Sequence, residues 1–150
     1  MLDTILLQGA SDLFNSAGSA EAFLLARLLF GFVLAFMGLN HFMMTDGLAG
    51  YSEAKGIPAP RLATLFSGGL LIFGGLGVAT GAFVTLAAGG LAVFLLLSAV
   101  TIHDFWAVPE DQQQDEMTSF LKNTVMAGAS LAFLALASAP WPYALNLSLL

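Results

Sequence analysis

Four apolar blocks, each close to the length that crosses a bilayer, make up most of this sequence and constrain its fold more than any other feature. They run over about 22–42, 62–80, 82–102 and 120–139. A hydrocarbon core about 30 Å thick takes about 20 helical residues, so four crossings use about 80 residues. A chain of 150 residues then has room for connections and little else. Hydrophobic residues make up 58% of the chain and charged residues 9%, against about 45–50% and about 25% in soluble domains. Too few polar groups remain to cover a soluble monomer, and a large extramembrane catalytic domain is excluded with it.

Inside hydrocarbon every backbone polar group must be satisfied within its own segment, which a helix does. The expected fold is therefore an all-α membrane protein with four transmembrane helices. The domain organisation is an N-terminal segment over 1–20, the transmembrane domain over 21–140 and a short tail over 141–150. Leu2, Ile5, Leu6, Leu7, Leu13 and Phe14, spaced by Asp3, Gln8 and Asp12, read as an amphipathic segment lying in the membrane surface. A signal peptide opens on positive charge; here no basic residue precedes Arg27, so the segment is expected to be retained. The connection over 43–60 ends in a Gly-Ile-Pro-Ala-Pro break. Gly81 is the only spacer between the second and third blocks, which must form an antiparallel hairpin. The connection over 103–119 is the most polar stretch, and Trp141 and Tyr143 sit at interface depth after the fourth block. Short connections imply an up-down-up-down bundle. Lys55, Arg61 and Lys122 flank the loops 43–60 and 103–119, against Arg27 on the other side, which favours those loops on the cytoplasmic side.

The chain has no cysteine, which removes disulfides, thiolate chemistry and iron–sulfur ligation together. A net charge of −6 leaves no basic footprint for nucleic acid and no polybasic lipid anchor. The polar residues within reach of the bilayer are thus the informative ones. Alternating helix direction brings the exits of spans one and three and the entry of span four to one membrane face. That face collects Asn40, His41, His103, Asp104, Trp106, Lys122 and Asn123, with Arg61 at the entry of span two. Two imidazoles with a carboxylate, an amide and an indole could bind a quinone headgroup or a small anion and could move protons. The same residue types also serve as plain interfacial anchors. His41 and His103 lack the tight spacing of a metal site, and no metal is expected.

Arg27 lies about 9 Å below the start of its helix and costs a few kcal/mol if it faces lipid. Either it snorkels to the near interface or it points into the bundle toward a carbonyl, a carboxylate or a ligand. His41 follows 14 residues later, about 40° away around the helix, so the two share a face at opposite ends. Glycines crowd the spans, and Gly77 and Gly81 have GxxxG spacing. Small residues let membrane helices approach closely, so packing is their expected role.

Arg27-Leu-Leu-Phe-Gly31, Gly38-Leu-Asn-His41-Phe42, Gly56-Ile-Pro58-Ala-Pro60, the Gly-rich stretch from Ser67 to Gly77, His103-Asp-Phe-Trp106 and Phe120-Leu-Lys-Asn123 occur in this order. As an ordered set over roughly 22–137, they resemble the DoxX family of small four-helix membrane proteins. The resemblance implies association with quinol oxidase or thiosulfate:quinone oxidoreduction subunits, or with oxidative and quinone stress. Arg27, His41, His103 and Asn123 match recurrent polar positions of the family. There is one departure: relatives often carry an acidic residue at the start of the second span, and no Asp or Glu lies between Arg61 and Asp104 here.

The leading expectation is an accessory or subunit of a quinone-linked redox system, with quinone as bound substrate and no cofactor motif of its own. Electrons entering quinone need a donor centre, so any catalysis would belong to a complex with redox partner subunits. His103 and Asp104 are the candidates to contact or protonate a headgroup, with Trp106 stacked beside it and Arg27, Asn40, His41, Lys122 and Asn123 as further ligands. The rival is a structural or assembly protein without a ligand. Small-solute transport would need a homo-oligomer to form a path.

Overall fold

The computed structural model describes residues 13–149, so most of the segment expected at the interface over 1–20 lies outside the described residues. The described residues are helical: α1 Ser19–Met43, α2 Thr45–Ala54, α3 Pro60–Thr80, α4 Val84–Thr101 and α5 Glu110–Ala135, with one 3-10 turn at Phe105–Ala107. Ser19–Met43, Pro60–Thr80 and Val84–Ala107, which joins the 3-10 turn to α4, are long and apolar enough to cross a membrane. Proline opens α3, where its missing N–H costs no helical bond. Gly81 closes it at φ 70, the left-handed cap that glycine adopts without a Cβ penalty.

Glycine sets the helix order. Gly31 of α1 backs onto Gly75 and Ala79 of α3, and Gly38 backs onto Gly68 and Ile72. A Cβ on Gly38 would stand 2.6 Å from the Gly68 carbonyl oxygen, inside any tolerable contact. Because 31 meets 75 while 38 meets 68, the two helices run antiparallel. Seven residues span about two helical turns, so the two glycines on each helix lie on one stripe and let the backbones touch. The other face of α3 uses Gly74 against Leu91 and Gly77 against Ala87 of α4. The α4–α5 pair follows through Asn123 near Ser98 and Leu134 near Gly89. Leu34, Leu71, Val78, Leu91 and Leu95 fill the centre, while Leu29, Phe36, Phe66, Val93 and Val125 lie more than half exposed on the outside. An apolar exterior around a small-residue interior suits lipid as solvent.

Two connections differ from their sequence reading. Most of 43–60 is helical, because Thr45–Ala54 winds into α2 and packs against α3. The last helix starts at Glu110, ten residues before the apolar block, and ends at Ala135 rather than 139. Glutamines and acids are good helix formers, and Glu110 and Asp111 in the first turn complement the helix dipole. Hydropathy registers only the polarity of that stretch. The tail is ordered too: Leu145 N–H donates to the Thr80 carbonyl at 2.9 Å, Phe83 N–H to that of Leu147 at 2.7 Å, and the Trp141 indole to that of Leu136 at 2.9 Å. Trp141 is therefore buried, and Tyr143 is exposed.

Candidate functional site

The antiparallel register carries both histidines to the same end of the bundle. A cavity of about 410 Å³ lies there between α1, α2, α3, α4 and Asn123 of the last helix, within the range of small-molecule sites. Its lining is mainly apolar, including Met37, Leu71, Phe94 and Ile102, with His41, Tyr51, Ser67, Ser98, His103 and Asn123 among its polar members.

Hydrogen bonding orients the two imidazoles. Ser67 Oγ donates to the Thr64 carbonyl at 2.9 Å and lies 2.9 Å from His41 Nδ1. The serine proton is committed, so Nδ1–H of His41 donates to it and Nε2 of the neutral ring is an acceptor. His103 Nδ1 stands 2.9 Å from Glu116 Oε2. An ionised carboxylate only accepts, so Nδ1 holds a proton here also and Nε2 is the atom that can take or give one.

Glu116 is the hub of the surrounding network. The Tyr51 hydroxyl donates to its Oε1, and Lys55 Nζ lies 3.7 Å from the same oxygen while bonding Asp104. Burial pushes the Glu116 carboxyl up, but the bonds from Tyr51 and His103 and the charge of Lys55 outweigh it and hold the group below the ordinary carboxylate value. Burial, followed by the bond to Glu116 and its charge, drives the Tyr51 phenol well above its ordinary value. Among the described residues no three His, Asp or Glu side chains converge as metal ligands.

The remaining sequence candidates disperse. Asp104 borders the site through Lys55 but does not line the cavity. Trp106 is 57% exposed and packs edge-on against Phe105 and Phe120, outside the lining. Asn40 is half-buried outside the cavity, Lys122 is exposed, and Arg61 pairs with Asp46 at 2.6 Å on the surface. Arg27 occupies the opposite end. It is fully buried, donates from Nη2 to the Tyr143 carbonyl, and lies over the rings of Phe23 and Trp141 at 5.9 and 5.7 Å. The stripe Arg27, Gly31, Leu34, Gly38, His41 does share one face of α1, with its two polar ends at opposite ends of the helix.

The DoxX family model matches residues 22–104, more than half of the chain. The chain belongs to the DoxX family. It is a multi-pass membrane protein, as the family match and its apolar helices require. It is also similar to the inner membrane protein YphA of Escherichia coli (strain K12), 29% identical over 108 residues that cover 72% of this chain and 77% of YphA. No solved structure gives a significant match. The DoxX match takes in Arg27, His41, Tyr51, Lys55, Ser67 and His103, whereas Glu116 and Asn123 come from beyond it.

Tyr51, Lys55, Ser67 and Glu116 escaped the sequence reading of this DoxX chain. Three of them sit in polar stretches taken for loops, and Ser67 looked like one small residue among many. The available signal was charge: Lys55 and Glu116 flank the same bundle end and have opposite signs.

Proposed function

We propose that the protein is an accessory or subunit of a quinone-linked redox system and that the cavity beside His41 and His103 receives the quinone headgroup. The observation that carries this reading is the convergence of both histidines, each with Nδ1 committed, on one apolar cavity of about 410 Å³. A quinone headgroup is a flat ring with two oxygens on opposite sides, and an apolar pocket with a few polar groups fits it.

Quinone supplies the electron chemistry and exchanges two electrons and two protons with its surroundings. His103 Nε2 takes a proton from a quinol hydroxyl, or in its protonated form returns one to a quinone oxygen. Glu116 fixes the tautomer and stabilises the imidazolium, the part a carboxylate plays beside a catalytic histidine. It supplies the carboxylate absent from the start of α3. His41 Nε2 serves the second oxygen, and Asn123 and Ser98 border the ring. The electrons pass to or from a redox centre in a partner subunit.

The same reading gives α5 a fourth crossing. Its stretch from Phe120 onward lies beside α4 from Ser98–Asn123 to Gly89–Leu134, so a membrane around α4 encloses it. The bundle is then up-down-up-down, with the loops 43–60 and 103–119 on the cytoplasmic side. The structural or assembly rival has less support from the glycines, because Gly31, Gly38, Gly68 and Gly75 are taken up in the internal seam.

Purification from native membranes in mild detergent tests the proposal. Flavoprotein or oxidase subunits in fixed ratio, with bound quinone, and loss of quinone-linked turnover in His103→Ala are the expected results. A protein that emerges alone and quinone-free, or unchanged turnover in that variant, overturns it.

A further inference from the structure

The end of the bundle away from the histidines holds a cation without a counter-ion among the described residues. Arg27 is fully buried, and among the described residues its Nε and Nη1 have no hydrogen-bond partner. Those two nitrogens carry three of the five N–H donors of a guanidinium. A desolvated charge in this condition is costly unless something pairs with it. No carboxylate forms an ion pair with it among the described residues.

Carbonyls at the end of α3, next to Gly81, already accept hydrogen bonds. The Gly77 carbonyl takes the N–H of Ala82, the Thr80 carbonyl takes that of Leu145, and the Tyr143 carbonyl takes Nη2 of Arg27 itself. The two ring faces offset the charge in part. The strap itself fills the space alongside, since a Cβ on Gly81 would stand 2.5 Å from Ala144 Cβ, so an anion enters only if the strap moves. A Cβ placed on Gly81 would fall 3.4 Å from Arg27 Nη1 and 3.4 Å from the Trp141 ring. Gly81 and Trp141 also line a second, open cavity of about 410 Å³ together with the start of α4 and the tail; Arg27 lies behind this wall and not in the lining itself.

The tail that covers Arg27 is a strap rather than a plug. Trp141 is its one deeply buried anchor, while Tyr143, Leu145, Leu147 and Leu149 are each at least half exposed. To lift, it must break the hydrogen bonds of Leu145 N–H to Thr80, of Phe83 N–H to Leu147 and of Arg27 Nη2 to the Tyr143 carbonyl.

We propose that Arg27, with Gly81 and Trp141, forms a binding site for a phosphate-ester anion, reached when the 141–149 strap shifts. Phosphate offers several acceptor oxygens at interface depth, and arginine recognises it through fixed, planar donors. The anion comes either from a lipid headgroup, whose chains would lie along the apolar groove of the second cavity, or from soluble phosphate.

The test uses full-length protein carrying Trp106→Phe, so that Trp141 is its only tryptophan and lies against the guanidinium. Titration with vesicles of phosphatidylglycerol in phosphatidylcholine, with pure phosphatidylcholine vesicles and with inorganic phosphate separates the sources. A saturable change in Trp141 emission and a rise in Tm with phosphatidylglycerol alone assign the site to lipid, and a response to inorganic phosphate assigns it to the free anion. In Arg27→Gln the response should fall at least about tenfold in apparent affinity, with Arg27→Lys intermediate. Absence of any saturable response in the parent protein overturns the proposal, even if Arg27→Gln fails to fold. So does an equal response in a folded Arg27→Gln variant.

Discussion

The two ends of the bundle handle charge in opposite ways. At the histidine end, Lys55, Asp104, Glu116, His103 and Tyr51 bond one another, so each half-buried charge has an opposite charge or a donor beside it. At the other end Arg27 is more deeply buried and has one carbonyl, two ring faces and two idle nitrogens. The first arrangement is complete within the chain and leaves an apolar cavity open beside it. Among the described residues the second is incomplete, and the proposed anion would complete it. A network of paired charges can hold a geometry for chemistry, whereas an unpaired buried cation is a receptor.

The comparison presumes that the glycine seam holds both ends in register, so the largest effect is expected from breaking it. Gly75→Val places a branched side chain against Gly31 and Ala35. Overpacking of this kind should cost about 3 kcal/mol or more, seen as a lowered Tm in detergent and loss of properly inserted protein. Glu116→Leu comes next. It leaves the partners Tyr51, His103 and Lys55 facing an apolar group, at about 1–3 kcal/mol, measured by thermal unfolding at neutral pH.

Acid titrates the same contrast without mutation. The Glu116 carboxyl is held below its ordinary value in the folded protein, so the unfolded chain takes up the proton first. Its contribution is therefore fully present above the ordinary carboxylate range and is lost as pH falls through the lowered folded value. Tm should decline on acidification in the parent, and that part of the decline should vanish in Glu116→Gln. The smallest effect is expected from Arg27→Met. Removing a lone buried charge relieves its desolvation while losing the bond to the Tyr143 carbonyl, so stability should shift by about 1 kcal/mol or less. A large loss there would mean that Arg27 is structurally complete as it stands and would erase the contrast.

The apolar architecture was legible in the sequence because burial in lipid demands long uncharged stretches, and Ser19–Met43 and Pro60–Thr80 follow the apolar blocks closely. The face shared by Arg27 and His41 was legible from helical periodicity alone. The start of α5 was not, since Glu110–Glu116 combines helix-forming residues with high polarity and hydropathy reads only the second property. Glu116 was lost with it. Gly31, Gly38, Gly68 and Gly75 were visible as small residues, but their partners depend on helix register, which a single sequence does not contain. Trp106 was grouped with the histidines because it follows His103 so closely, yet the 3-10 turn at Phe105–Ala107 directs its ring into an aromatic cluster instead.

The most direct test of the quinone reading is equilibrium binding of a short-chain ubiquinone analogue to the purified, detergent-solubilised protein, compared with His103→Ala and His41→Ala. Saturable binding at one site per chain, weakened about tenfold or more by each substitution, is the expected result. Non-saturable partitioning, or equal affinity in both variants, would contradict a headgroup site between the two histidines.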